Sequence, residues 1–169
     1  KVAFVVVRYG KNINGGAEYH CQMLAERLVE DYDVEVLTTC VRDVATGENT
    51  YPEGTEEWNK VLVRRFRTNP IQHEKERCFA KPARKLRQFL FKLGILKYLS
   101  YLFPVWSYKN DLEVQAMNSD KFYSSALNEY IREHVDEYKA FIAMSSDYVT
   151  FYYTALYAGR KTIAIPTMH

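Results

Sequence analysis

Short apolar segments alternate with amphipathic stretches along this chain, and the alternation predicts strands and helices in turn. Residues 2–7 are a continuous apolar run rich in β-branched side chains, which is typical of a strand buried on both faces of a parallel sheet. Further strands are predicted at residues 34–38, 61–66, 140–144 and 162–165. Apolar residues at helical spacing predict helices at residues 17–31, 122–135 and about 147–158. This order predicts an α/β domain built on a parallel sheet with helices on both faces.

The segments between and after these elements carry boundary signals. Glycine and proline residues predict a polar loop between the second strand and the third. Either Ser145 or Ser146 is predicted to cap the helix that follows the fourth strand. Only four residues follow the last strand, and the chain does not begin with Met, so we expect residues 1–169 to be one part of a longer protein.

Composition and charge narrow the class of protein. A length of 169 residues suits one domain, and 47% apolar with 26% charged residues is the balance of a folded globular protein. The net charge of +2 does not favour a nucleic-acid partner. The charge is unevenly distributed, however. Residues 60–109 hold 13 Lys/Arg and 2 Asp/Glu and therefore carry +11, so the remaining residues carry −9. Cys21, Cys40 and Cys78 fit neither a zinc site nor a disulfide framework, and they favour a reducing, cytosolic setting with buried thiols.

Two consecutive glycines follow the first strand and open the first helix. Gly15 and Gly16 have no Cβ, so a ligand can approach their backbone closely, and the free amides of a first helical turn favour phosphate. Glu18 lies in the same turn and would repel an anion unless its carboxylate is turned away or bonded elsewhere. A glycine loop that only makes a tight turn explains the pattern equally well. The residues of a P-loop and of a dinucleotide fingerprint are missing, which argues against an ATPase and an NAD enzyme.

Several segments, taken in order, resemble the amino-terminal domain of the family-4 (group 1) glycosyltransferases. They are residues 4–10, 13–18, 34–40, 51–57, 63–66, 123–127, 130–131, 136–138 and 165–169, with His20. The resemblance covers most of the chain except residues 70–118. It implies one half of the GT-B architecture, in which two Rossmann-like domains face each other across a cleft and the second binds most of the nucleotide-sugar donor. It also implies sugar transfer with retention of configuration, without a metal or another cofactor.

The resemblance implies roles for particular residues of this chain. Gly15 and Gly16 would lie beside the donor diphosphate, and His169 would match the catalytic histidine of the cleft. The carboxyl-terminal domain, which carries a pair of glutamates near the donor sugar, is absent from residues 1–169. The chain alone is therefore expected to be inactive, with that domain as its partner in the whole protein.

Polar and aromatic residues near the ends of the first and fourth strands are candidates for binding a glycan or lipid-linked acceptor. They are Arg8, Tyr9, Glu18, Ser145, Ser146 and Tyr148. Aromatic faces stack on sugar rings, although most aromatic residues of the helix after the fourth strand must pack in the core. No histidine has a partner at metal-ligand spacing, so no metal site is predicted. A non-catalytic α/β module that binds a phosphorylated ligand is the alternative to a glycosyltransferase.

A basic segment within the insertion at about residues 70–118 has a separate pattern. Residues 81–106 predict one amphipathic helix, with Pro82 in its first turn and Pro104 at its end. Its apolar face and its lysines suit an anionic membrane surface, while a helix packed on its own domain is the commoner use of such a pattern. A nucleic-acid partner ranks third. The expected location is the cytoplasm, with attachment to the inner face of the plasma membrane if this helix binds lipid.

Overall fold

The computed structural model describes residues 1–11, 13–70, 85, 87–102 and 110–167. The chain divides into two compact units, which are described separately below. The first unit consists of Lys1–Asn69 and Ser124–His169, and the second unit consists of Pro70–Tyr123. Some residues that the sequence analysis singled out lie outside the described ones. They are the catalytic candidate His169, Pro82 and Pro104 of the basic segment, and Cys78.

A six-stranded mixed sheet forms the centre of the first unit. Its strands are β1 (Val2–Val5), β2 (Val34–Thr39), β3 (Gly54–Trp58), β4 (Val61–Phe66), β5 (Ala140–Met144) and β6 (Thr162–Ile165). They lie in the order β3-β4-β2-β1-β5-β6, and every neighbouring pair is parallel except β3 with β4. The helices of this unit are α1 (Gly16–Leu28), α4 (Ser125–His134) and α5 (Val149–Ala158). The second unit contains α2 (Leu96–Leu102) and α3 (Asn110–Asn118), and residues 87–92 are also helical.

The two faces of the sheet carry separate hydrophobic cores, because side chains alternate along each strand. Phe4 of β1 packs with Cys21 and Ala25 of α1 on one face. Its neighbours Ala3 and Val5 point to the other face. That second core also contains Leu127 and Ile131 of α4 and Ala158 of α5. The predicted Rossmann-like α/β sheet with helices on both faces is therefore confirmed.

The antiparallel strand β3 contradicts the predicted polar loop. Four of its five residues are exposed, so it has no apolar pattern that could reveal it. It pairs with β4 through a two-residue turn at Asn59 and Lys60, which have φ values of 50° and 69°. Two successive positive φ values are the signature of the tight hairpin turn that matches strand twist, and an asparagine is common there. Asn59 was thus the signal in the sequence for this hairpin.

Two predicted helix starts are also wrong. Ser124 caps α4 by accepting a hydrogen bond from the Leu127 amide at 3.2 Å, so the helix begins three residues after the predicted start. Helix α5 begins at Val149, with Tyr148 as its N-cap and no side-chain cap. Neither serine caps it, because Ser145 has a φ of 61° and donates its amide to Ile165 O at 3.1 Å. Ser145 therefore ties β5 to β6 instead.

One fully buried carboxylate joins β2, β4 and the residues that precede β1 and β5 on the α4 face of the sheet. Glu35 of β2 accepts hydrogen bonds from Lys1 at 2.6 Å, Arg64 at 2.7 Å and the Tyr138 hydroxyl at 2.6 Å. Burial by itself raises the pKa of the Glu35 carboxyl, but these three donors outweigh burial and lower its pKa below the ordinary value. Glu35 is therefore ionised and fully paired inside the fold.

The basic segment of the second unit is two helical pieces rather than the single predicted helix. Gly94 separates them with a φ of 70°. The Ile95 amide bonds to Leu90 O at 3.2 Å, and the Gly94 amide bonds to Phe91 O at 3.0 Å. This pair of bonds is the Schellman ending of a helix, which needs a left-handed residue and therefore favours glycine.

Candidate functional site

The strand order places a topological switch point at the carboxyl ends of β1 and β5. From β1 the chain builds the sheet outward through β2 and β4, and then it crosses back to place β5 on the other side of β1. In open α/β sheets, ligands bind outside the carboxyl ends of the strands at such a switch point. The segments that leave these two strands are residues 6–16 and 145–148, which contain most of the predicted site residues. The topology therefore brings the two predicted groups to one edge of the sheet.

A buried ion pair lies beneath the turn that opens α1. Arg8 donates to Glu18 Oε1 through Nε at 2.9 Å and through Nη2 at 2.6 Å. The same guanidinium donates to Asn14 O at 3.0 Å and to Arg42 O at 3.1 Å. Both side chains are less than a tenth exposed. Arg8 and Glu18 thus neutralise each other and hold the residue 8–18 loop against the segment that follows β2.

The two adjacent glycines have different surroundings. A Cβ on residue 15 would overlap Glu18 Oε2 and lie 2.7 Å from Glu18 Cδ and 3.2 Å from Arg8 Nη2. Gly15 itself has extended backbone, with φ 165°, so its role is to leave room for the ion pair. A Cβ on Gly16 would meet nothing within 4 Å, and Gly16 is exposed. The corner at Gly15 is therefore filled by the protein's own side chains, and the corner at Gly16 is open.

The first turn of α1 retains amides that the described part of the chain does not bond. Gly15 O accepts the first helical bond, from the Tyr19 amide at 2.9 Å. No described residue accepts a hydrogen bond from the amides of Gly16, Ala17 or Glu18, and Gly15 provides no side-chain cap. Such amides carry partial positive charge and favour an anion. Because Glu18 is already paired with Arg8, its carboxylate does not cancel that preference.

Comparison with known proteins adds no identification. Neither family models, nor curated proteins, nor solved structures give a match to this chain.

The segment after β5 presents a mixed surface. The Ser145 hydroxyl is buried and lies 2.6 Å from the Thr167 hydroxyl, so it is already paired. Ser146 and Asp147 are exposed, and Tyr148 is half-buried. Ser146 and Tyr148 can therefore meet a ligand, whereas Ser145 holds the strand ends in place.

The structure places Tyr9 in the core rather than at the open edge. Its ring is 1% exposed and packs with Phe4 and Met144, and burial raises the pKa of its phenol. The backbone of Tyr9 helps to fix the loop after β1, because its carbonyl oxygen accepts a hydrogen bond from Arg65 Nη1 at 2.7 Å. Tyr9 is thus a packing residue in this arrangement.

Arg65 is a supporting residue that the sequence analysis did not single out. It lies in β4, pairs with Glu56 of β3, and stacks over the Tyr51 ring with its guanidinium carbon 4.3 Å from the ring centroid. Gly10 has a φ of 136°, and a Cβ there would stand 3.0 Å from Arg65 Nη2. Arg65 and Gly10 therefore fix the path of the backbone between β1 and the glycine turn. An arginine inside an otherwise apolar strand was the available signal.

Other candidate chemistry is sparse in the described residues. Cys21 and Cys40 are buried free thiols, and burial raises the pKa of each. Within residues 1–11, 13–70, 85, 87–102 and 110–167, no group of three or more His, Cys, Asp or Glu could hold a metal ion. In the same part of the chain, no helix is long and apolar enough to cross a bilayer.

Proposed function

We propose that this chain is the acceptor-side domain of a retaining, metal-independent glycosyltransferase, and that the first turn of α1 receives the diphosphate of a nucleotide-sugar donor. The observation that carries the proposal is the set of amides at Gly16, Ala17 and Glu18 for which no described residue is an acceptor. The first of these residues is exposed, and the set lies at the switch point of the sheet. The family resemblance of the sequence supplies the reaction class.

The chemistry that the amides would perform follows from the reaction. A nucleoside diphosphate gains negative charge as its bond to the sugar breaks. Amides held by a helix are already oriented, so they stabilise that charge without reorganising and without a metal. Arg8 acts as a positioning residue in this proposal, because it removes the repulsion that an unpaired Glu18 would exert. Gly15 makes room for the pair, and Gly16 is the residue that contacts the donor.

The acceptor would lie along the segment after β5. Ser146 is exposed and Tyr148 is half-buried at the carboxyl end of the strand beside β1. A tyrosine ring offers a flat apolar face for a sugar ring, and a serine hydroxyl can donate or accept a hydrogen bond. These two residues are the acceptor contacts we retain from the predicted set.

Isothermal titration with inorganic pyrophosphate, and then with ADP, GDP and UDP, tests the anion site. Gly16→Asp adds a carboxylate at the open corner without a steric overlap. It should weaken pyrophosphate binding at least about fourfold, because two like charges about 5 Å apart repel by about 0.8 kcal/mol even in bulk water. Met23→Asp is the matched control, since Met23 is exposed on the same helix and the change in net charge is identical. Equal weakening in both variants, or no binding of any of these anions, would contradict the proposal.

A turnover assay tests whether catalysis requires a second domain. Residues 1–169 alone should show only background glycosyl transfer and donor hydrolysis with a panel of nucleotide sugars, because the proposal assigns most of the donor site to a second domain. Robust turnover by this chain would refute that assignment. Turnover by the whole gene product would distinguish a glycosyltransferase from a module that only binds a phosphorylated ligand.

A further inference from the structure

Among the described residues, one stretch of the second unit holds most of the exposed large apolar side chains. Between residues 87 and 102, seven large apolar side chains are exposed. They are Phe89, Phe91, Leu93, Ile95, Tyr98, Tyr101 and Leu102, with exposed fractions from 41% to 78%. The exposed large apolar residues of the first unit are scattered over α1, its C-terminal turn, α5 and β6. Single exposed apolar residues are ordinary, whereas a run of this density marks an interaction surface.

The backbone of this stretch presents these side chains on short helical faces. Tyr98, Tyr101 and Leu102 are spaced i, i+3, i+4 on α2, so they share one side of the helix. Phe89 and Leu93 are four residues apart across the end of the preceding helical piece. The Schellman turn at Gly94 joins the two pieces.

The charge of the stretch identifies the kind of surface it fits. Residues 85–102 contain four basic residues, Lys85, Arg87, Lys92 and Lys97, and no acidic residue. Lys85, Lys92 and Lys97 are exposed. Arg87 pairs with Glu113 of α3 at 2.5 Å. Bulky apolar side chains beside lysines match the interface of an anionic bilayer, where the rings enter the acyl boundary and the ammonium groups meet lipid phosphates. A second copy of this surface would instead oppose like charges.

We propose that Lys85 and residues 87–102 form a peripheral binding surface for anionic lipid bilayers. Phe91 and Leu102, which are 74% and 78% exposed, insert among the acyl chains near the headgroups, and Lys92 and Lys97 contact the headgroups. This proposal does not depend on glycosyl transfer, because it uses only the second unit.

Vesicle co-sedimentation tests the proposal with the whole 169-residue chain. The chain should sediment with phosphatidylcholine vesicles that contain phosphatidylglycerol, and less with phosphatidylcholine alone. Raising the salt from about 0.05 M to about 0.5 M should release it, because the lysine contribution is screened. Lys92→Gln with Lys97→Gln should weaken the partition roughly 30-fold, at about fivefold per lysine.

A matched pair of variants separates apolar insertion from simple charge attraction. Phe91→Ser with Leu102→Ser keeps every charge and should weaken binding on the order of 100-fold. Leu156→Ser, at a residue of α5 that is 55% exposed, is the control and should bind like the parent. Circular dichroism checks that each variant is folded. Equal binding to both vesicle types, or an unchanged partition of the double serine variant, would overturn the proposal. So would a dimer in gel filtration that this double variant dissociates, because the surface would then be a contact between copies.

Discussion

Replacing each of the two glycines by alanine should have opposite effects on stability. At residue 15 an added methyl overlaps Glu18 Oε2 and lies 2.7 Å from Glu18 Cδ, a separation that side chains do not tolerate. The carboxylate must therefore retreat, which breaks or lengthens its two hydrogen bonds to Arg8. At residue 16 the methyl meets nothing within 4 Å.

The size of the effect follows from the contacts. A hydrogen bond to a charged group contributes about 1.5–3 kcal/mol to stability. When the atoms of a buried ion pair move out of hydrogen-bonding geometry, most of this contribution is lost. Alanine at an extended position recovers about 0.5–1 kcal/mol from the unfolded chain. We therefore expect Gly15→Ala to lower the free energy of unfolding by about 1–3 kcal/mol, and Gly16→Ala to raise it by up to about 1 kcal/mol. For a chain of this length, each 1 kcal/mol corresponds to about 2–4 °C in Tm.

Urea unfolding followed by circular dichroism measures both variants. The decisive comparison repeats Gly15→Ala in a Glu18→Ala background, where the carboxylate that causes the overlap is gone. There the cost of Gly15→Ala should fall below about 0.5 kcal/mol, as for independent sites without a clash. Equal stability of the two alanine variants in the parent chain, or an undiminished cost in the Glu18→Ala background, would refute the steric argument.

Two further predictions concern other parts of the fold. The pKa of Glu35 is lowered by folding, so its ionised form stabilises the fold above the ordinary carboxyl pKa, and this contribution is lost as the pH falls through the lowered value. Glu35→Gln should therefore be less stable than the parent by about 2–4 kcal/mol at pH 7. In urea titrations this difference in the free energy of unfolding should shrink between about pH 5 and pH 3. A difference that does not change with pH would contradict the assignment. Gly94→Ala should cost about 1 kcal/mol, because φ is 70° although space is free, and Gly94→Asn should recover part of it in thermal unfolding.

The parallel strands could be predicted because short runs of β-branched and other apolar residues leave a strong sequence signal. Residues 61–66, 140–144 and 162–165 were predicted with the bounds that the structure shows. The exposed strand β3 left no such signal, since it is stabilised by backbone pairing with β4 and by the turn at Asn59. Periodicity also missed the break at Gly94, because the apolar spacing continues through the turn. Hydrophobic periodicity carries no information on the backbone conformation of single residues. The left-handed conformations of Asn59 and Gly94 determine the hairpin turn and the helix break.

The candidate site was predictable in position but not in detail. Sequence order alone places Arg8, Gly16 and Ser146 at the carboxyl ends of neighbouring parallel strands. Whether each side chain faces outward depends on tertiary contacts that no local pattern encodes. Tyr9 turned inward to fill the core, and Ser145 turned to bond Thr167. A polar or aromatic residue at a strand end is therefore only a candidate until the neighbouring strand is known.

An acidic residue in the first turn of α1 is compatible with an anion site only because of how its charge is bonded. A free carboxylate at Glu18 would occupy the amides itself or repel a phosphate. Arg8 lies in the segment after β1 and donates two hydrogen bonds to one oxygen of that carboxylate, so the pair is neutral and buried. Because a Cβ at residue 15 would overlap the Glu18 carboxylate, the Arg8–Glu18 pair requires a glycine at that position. A Cβ at residue 16 would meet nothing within 4 Å, so the described fold does not require a glycine there. Gly15 is thus explained by stability alone, whereas Gly16 is the glycine that contacts the diphosphate in the proposed function.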